Sequence, residues 1–138
     1  MNKRAVLWAA APIAAALIAG CGGNPSGPNG NGTDVSFASG VQPILTSNCS
    51  SASCHGAAES AGLKLAQGSA YQELVNVPST SEPVFPRVKP ADPDSSYVII
   101  KLEGNQTVGA RMPFGGSPLS ASTIQTIRDW IEQGAANN

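Results

Sequence analysis

Residues Cys49-Ser50-Ser51-Ala52-Ser53-Cys54-His55 set two thiols around a loop of four residues, with an imidazole directly after the second thiol. Groups so spaced can do three kinds of chemistry. The thiols can oxidise to a disulfide, leaving His55 a bystander, if the chain reaches an oxidising compartment. They can bind zinc, but structural zinc sites usually close with four ligands and only three good ones stand here. They can add across the two vinyl groups of a haem, as in the C-x-x-C-H signature, here with a wider loop. Blue-copper sites want two histidines, and His55 is the only one in the chain.

The N-terminus bears on this choice. Lys3 and Arg4 precede an apolar run from Ala5 to Ala19 that Pro12 interrupts. That pattern reads as a secretory signal over residues 1–20 rather than a transmembrane span. It ends in Ile18-Ala19-Gly20-Cys21, which resembles a bacterial lipobox with Cys21 as the lipidated residue. Two or more acyl chains would anchor the protein stably to a membrane. Gly22 to Thr33, GGNPSGPNGNGT, has no apolar side chain to bury and reads as a flexible tether, so residues 21–33 form a linker. Twelve such residues span roughly 20 Å. The folded domain is expected over residues 34–138.

Processing leaves the domain one cysteine pair, one histidine and, with Met1 gone, one methionine, Met112. Covalent haem with His/Met ligation needs that set. The two thiols would make the thioether bonds, His55 would ligate the iron on one face and Met112 on the other. Met112 precedes Pro113, which pushes it out of the helical region and onto an extended loop. The inventory favours one covalent haem c; a bare Cys49–Cys54 disulfide is the alternative. Loss of Lys3 and Arg4 leaves six basic against nine acidic side chains, a formal charge of −3. With no basic run anywhere, nucleic acid is not an expected partner.

The elements that must position these groups read as helices. Asp34 can cap a first helix carrying Phe37, Val41, Ile44 and Leu45 on one face, with Pro43 either kinking it or delaying its regular part. Ser69 to Val75 reads as a short helix. Asp92, Pro93 and Gly104 punctuate a third helix as cap, first residue and stop, outvoting the strand-like Val98-Ile99-Ile100. Ser120 or Ser122 caps a last helix with Ile124, Ile127 and Ile131 on one stripe, Trp130 beside it and Gly134 at its end. Trp130 reads as a packing residue, or as an indole donor to a haem propionate. No strand pairs are evident. So small a core with few aromatics would fold poorly without the apolar bulk of a porphyrin.

With these residues in place, the chain resembles a class I-type c-type cytochrome, and more narrowly the planctomycete-type cytochrome c domains of secreted bacterial proteins. The resemblance covers most of residues 36–135. Its parts are Phe37 to Leu45, then Cys49, Cys54 and His55, Pro90 to Tyr97, Arg111-Met112-Pro113 with Gly115-Gly116, and Ile124 to Ala135. It implies an all-α domain wrapped around one covalent haem, with packed first and last helices meeting through Phe37 or Val41 against Ile127 and Ile131. It also implies Cys49 and Cys54 as thioether residues, His55 as proximal ligand and Met112 as distal ligand. One departure stands out. Such cytochromes offer a proline carbonyl to the histidine, yet no proline occurs between Gly56 and Val77, so the partner of His55 is unassigned.

The function so implied is electron carriage, not catalysis. A lipid-anchored mono-haem cytochrome would take single electrons from a redox protein donor and pass them to an acceptor at the cell envelope, the outer membrane mildly favoured. An acidic domain would suit a basic partner patch. Arg87, Lys89 or Arg111 would neutralise the propionates. The rivals are a haem peroxidase or gas sensor if Met112 is displaced, and a haem-free, disulfide-stapled lipoprotein acting as a binding module. The lack of a second histidine argues against the peroxidase.

Overall fold

The computed structural model describes residues 34–138. The expected signal segment, Cys21 and the linker lie outside the described residues. Among the described residues the regular elements are helical, and extended pairing is limited to two isolated bridges, Val75 with Val88 and Pro78 with Pro86. Residues 34–138 therefore adopt the expected all-α class.

The first helical segment has two parts. A π turn, Phe37–Val41, runs into α1, Gln42–Asn48. Pro43 explains the change. It has no N–H to donate and its ring would strike the carbonyl one turn back. The wider turn precedes it, and Pro43 enters α1 in the first turn, where its missing N–H costs nothing. The expected cap is displaced. Ser36, not Asp34, caps this segment, its hydroxyl accepting from the Ser39 N–H at 3.3 Å. The first two N–H groups of that turn find partners far along the chain. Phe37 N–H donates to Asn138 Oδ1 at 2.8 Å and Ala38 N–H to the Asn138 carbonyl at 2.9 Å.

Helix α2, Ala70–Leu74, falls inside the expected Ser69–Val75. Helix α3, Tyr97–Glu103, is shorter than its punctuation suggests. Ser96, not Asp92, is its N-cap residue. Asp92 instead closes the turn before it. Asp92 Oδ1 accepts from the Ser95 N–H at 3.0 Å and Oδ2 from Lys89 Nζ at 2.8 Å. A proline right after Asp92 suits such a turn as well as it suits a helix start. Gly104 does end α3, at φ +86°, in the left-handed region open to glycine. Helix α4, Ala121–Glu132, is capped by the Ser120 hydroxyl, which accepts from the Thr123 N–H at 3.1 Å.

The core forms where α4 packs on α3 and on the π turn. Ile124, Ile127, Trp130 and Ile131 of α4 are buried with Val41, Leu45, Leu74 and Ile99. Each such side chain contributes roughly 1.5–3 kcal/mol by leaving water. An aromatic contact joins the first and last helical segments, and Tyr71 of α2 extends it. Phe37 lies 5.2 Å from Trp130 and 5.3 Å from Tyr71, the latter edge-on. Trp130 takes the packing role. It is 1% exposed and its indole N–H donates to the Ala136 carbonyl at 2.9 Å, so it has no proton to offer a propionate.

Asp92 generates a pH prediction. Lys89, then Ser95, hold its carboxyl down at about 2, below its ordinary 3.8. Its contribution to stability is complete above that ordinary value and disappears as pH falls through about 2. Urea midpoints measured across that window should fall for the wild type. Asp92→Asn should flatten that part of the profile; an unaltered slope would remove Asp92 as a cause.

Candidate cofactor site

The Cys loop is shaped by its own backbone. His55 N–H donates back to the Cys49 carbonyl at 3.1 Å, and the Cys54 and Gly56 N–H groups both donate to the Ser51 carbonyl at 3.0 Å. The four-residue loop thus folds into a closed turn rather than a wide arc. Gly56 is required there. A Cβ at this position would lie 2.5 Å from the Ser50 carbonyl oxygen and 2.6 Å from that of Ser51, and both are backbone atoms that cannot swing aside.

The segment Leu63-Lys64-Leu65 braces this turn. Leu65 N–H donates to the His55 carbonyl at 2.7 Å. Its own carbonyl accepts from the Ser50 hydroxyl at 2.7 Å and from Gln42 Nε2 at 3.2 Å. The Leu63 carbonyl oxygen lies 3.3 Å from His55 Nδ1. A carbonyl only accepts, so this bond requires the proton on Nδ1 and leaves Nε2 with its lone pair free. The partner that the proline-free stretch left unassigned is therefore the Leu63 carbonyl. Nothing in the side-chain sequence marks it, because any residue there supplies the same oxygen.

Met112 is fixed from another direction. The last carbonyls of a helix lack partners inside it. In α3, Lys101 O accepts from the Met112 N–H at 3.0 Å and Leu102 O from Arg111 Nε at 2.8 Å. Residues 105–119 thus form a strap, pinned to the end of α3 just where Met112 leaves it.

Loop and strap face one cleft of about 540 Å³ that Cys49, Cys54, His55 and Met112 all line. Its walls are mainly apolar, with Leu45, Leu63, Leu74, Val98, Leu102 and Ile127 among them. This volume lies within the roughly 300–1,000 Å³ of small-molecule and cofactor sites. Both cysteines are free thiols, Cys49 half-buried and Cys54 exposed. Among the described residues no three His, Cys, Asp or Glu side chains group to hold a metal ion, so the zinc alternative finds no ligand set. The donors present instead fit a haem: two thiols on one loop, an imidazole with Nε2 free, a thioether from the strap, and apolar walls.

The three expected propionate partners separate. Arg87 lines the cleft, 7% exposed, and donates to the Glu73 carboxylate at 3.0 Å and to the Gly62 carbonyl at 2.8 Å. Lys89 is engaged with Asp92, and Arg111 with the end of α3; neither lines the cleft. Lys101 does line it and was not anticipated. Its place follows from helical spacing, since Val98, Lys101 and Leu102 share one face.

No family model, curated protein or solved structure matches the chain. The chemistry of the cleft is therefore read from its own geometry.

Two outcomes follow for the loop. Burial, then the neighbouring Cys54, pushes the Cys49 thiol up to about 11. At neutral pH only thiolates react quickly. Iodoacetamide should therefore alkylate Cys54 of the reduced, haem-free protein first, and peptide mass mapping should show Cys49 lagging; equal labelling would contradict the burial. Gly56→Ala should destabilise the domain by about 1–3 kcal/mol, the range for overpacking, in a urea titration.

Proposed function

We propose that this chain is a mono-haem c-type cytochrome that carries single electrons at a bacterial cell envelope, anchored there through Cys21. One observation carries this: a thiol pair, an imidazole with only Nε2 free, and a strap-held thioether all line a single apolar cleft. Cys49 and Cys54 would hold the haem covalently, and His55 Nε2 and Met112 Sδ would ligate its iron. Bound there, the haem supplies a reversible one-electron change at iron, which thioether ligation shifts toward the ferrous state.

The chain's own groups do the remaining work. The Leu63 carbonyl orients the imidazole and raises its basicity as a ligand. The α3 carbonyls present the Met112 strap. The apolar walls exclude water. Arg87 and Lys101 supply positive charge at the cleft for the acidic edge of the porphyrin. The thiols of the exposed loop mark the edge through which donor and acceptor proteins would exchange electrons, in small transient contacts. The fold would then be a cytochrome c-like wrap, with the first and last helical segments closing behind the cofactor.

The test is the intact mass and denatured haem stain of the full chain exported in a host with haem-attachment machinery. A gain of one haem that survives denaturation is expected. A colourless protein two hydrogens light would mean a Cys49–Cys54 disulfide, and electron carriage would have to be abandoned. In the coloured protein, Met112→Ala should lower the reduction potential by roughly 0.1 V or more, within the ~0.8 V that axial ligands span. It should also admit carbon monoxide that the wild type resists. Rapid binding by the wild type would favour the gas-sensor or peroxidase alternative.

A further inference from the structure

Beyond its attachment to α3, the strap has a second fastening, made by Tyr97 and Lys101 at the cleft wall and by Glu82 outside it. The turn Ser79–Phe85 is rigid. The Ser79 hydroxyl accepts from the N–H groups of Ser81 and Glu82, each at 3.3 Å, and Ser79 N–H donates to the Phe85 carbonyl at 2.9 Å. From this turn Glu82 reaches the strap, and its carboxylate accepts from the Thr107 hydroxyl. Its second oxygen is shut off from solvent. Tyr97 of α3 works beside it. The phenol is 6% exposed, its ring stacked on Phe85 at 6.3 Å with the Lys101 ammonium 5.8 Å from its centroid. Its hydroxyl donates to the Val108 carbonyl at 3.4 Å, and Lys101 Nζ donates to the same oxygen at 3.2 Å. Thr107 and Val108 are thus held four to five positions before Met112, by side chains from two separate elements.

We propose that Glu82 and Tyr97 are positioning residues that latch the strap, so that a carboxylate outside the cleft decides how firmly Met112 is presented to it. The proposal rests on Met112 being the distal ligand, but the latch itself involves only this chain's residues. Glu82 does not line the cleft; it lines a second one on the other side of α3, with Asp94 and Glu103. Arg128 of α4 pairs with both of those acids, and Lys101 faces Glu82 from α3. Glu82 is thereby the acid free to serve the strap. The Thr107 hydroxyl, the largest influence on it, holds its carboxyl below the usual range. The latch is complete above that range and weakens as pH falls through the depressed value.

Glu82→Ala, Glu82→Gln and Tyr97→Phe in the exported full chain test this. Amide hydrogen exchange reads the strap at Val108 and Met112 against Ile127 of α4. The spectral band of thioether-ligated ferric haem reads the ligand. Glu82→Ala and Tyr97→Phe should lower protection at Val108 and Met112 by roughly tenfold, the size of one lost hydrogen bond to a charged or buried partner, with Ile127 unchanged. Glu82→Gln should keep part of the protection and lose its dependence on acid. The ligand band should weaken in step. Unchanged protection at Val108 and Met112 would overturn the latch, and so would an equal loss at Ile127, which would mean a merely global role. Exchange decides the latch in a colourless chain as well, wherever Ile127 stays protected. A normal latch with no ligand band would instead count against Met112 as ligand.

Discussion

The backbone of Leu63-Lys64-Leu65 is the constraint on which the rest of the site depends. Three polar groups of this short segment are spent on its neighbours. Leu65 N–H takes the His55 carbonyl, Leu65 O takes Ser50 and Gln42, and Leu63 O takes the His55 ring. Helix α1, the Cys loop and the imidazole are thereby referred to one stretch of chain. The Leu65 side chain, 4% exposed, ties the stretch to the core. Because these bonds are at least partly buried, breaking one leaves an unsatisfied group behind, which costs more than the bond contributes when formed. The loop around the thiols, itself mostly exposed, borrows its order from this brace.

The strap obeys the same accounting from the other side of the cleft. A helix as short as α3 has as many unsatisfied carbonyls as a long one. Two of them are used to hold Arg111 and Met112. A single short helix therefore serves three ends. One face carries Val98 and Leu102 into the cleft, its last turn fixes the strap, and Tyr97 at its start reaches Val108. Changes in α3 should be felt at Met112 without touching it, and packing of α4 on α3 carries that sensitivity into the core.

The parts legible in the sequence were those set by side-chain pattern. The stripe Ile124, Ile127 and Ile131 gave α4, Gly104 gave the end of α3, and the thiols, His55 and Met112 were picked by type alone. All four of those residues do line one cleft. The misplaced assignments were caps. Asp34 and Asp92 both have the side chain of an N-cap, but Ser36 and Ser96 hold those positions. Asp, Asn and Ser serve turns and caps by the same hydrogen bond, so type does not separate the two uses. Backbone partners were invisible for a deeper reason. The Leu63 carbonyl and the α3 carbonyls are defined by where the chain passes, not by what it is made of.

Arg87 shows how such hidden placement bears on chemistry. From sequence it was one of three equivalent cations. In the fold it alone of the three is buried at the cleft, held by Glu73 and two backbone carbonyls, those of Glu73 and Gly62. A buried arginine keeps its charge, and Glu73, still partly exposed, offsets only part of its field. The charge is thus built into the wall, fixed there by three acceptors. Lys101 is different. Burial pulls its ammonium below the ordinary lysine value, and its donors are shared with the strap. The cleft therefore has one fixed cation and one that is linked to the strap's position. An acidic group bound there would draw on the same Lys101 donors that hold the strap, which would link occupancy of the cleft to the presentation of Met112.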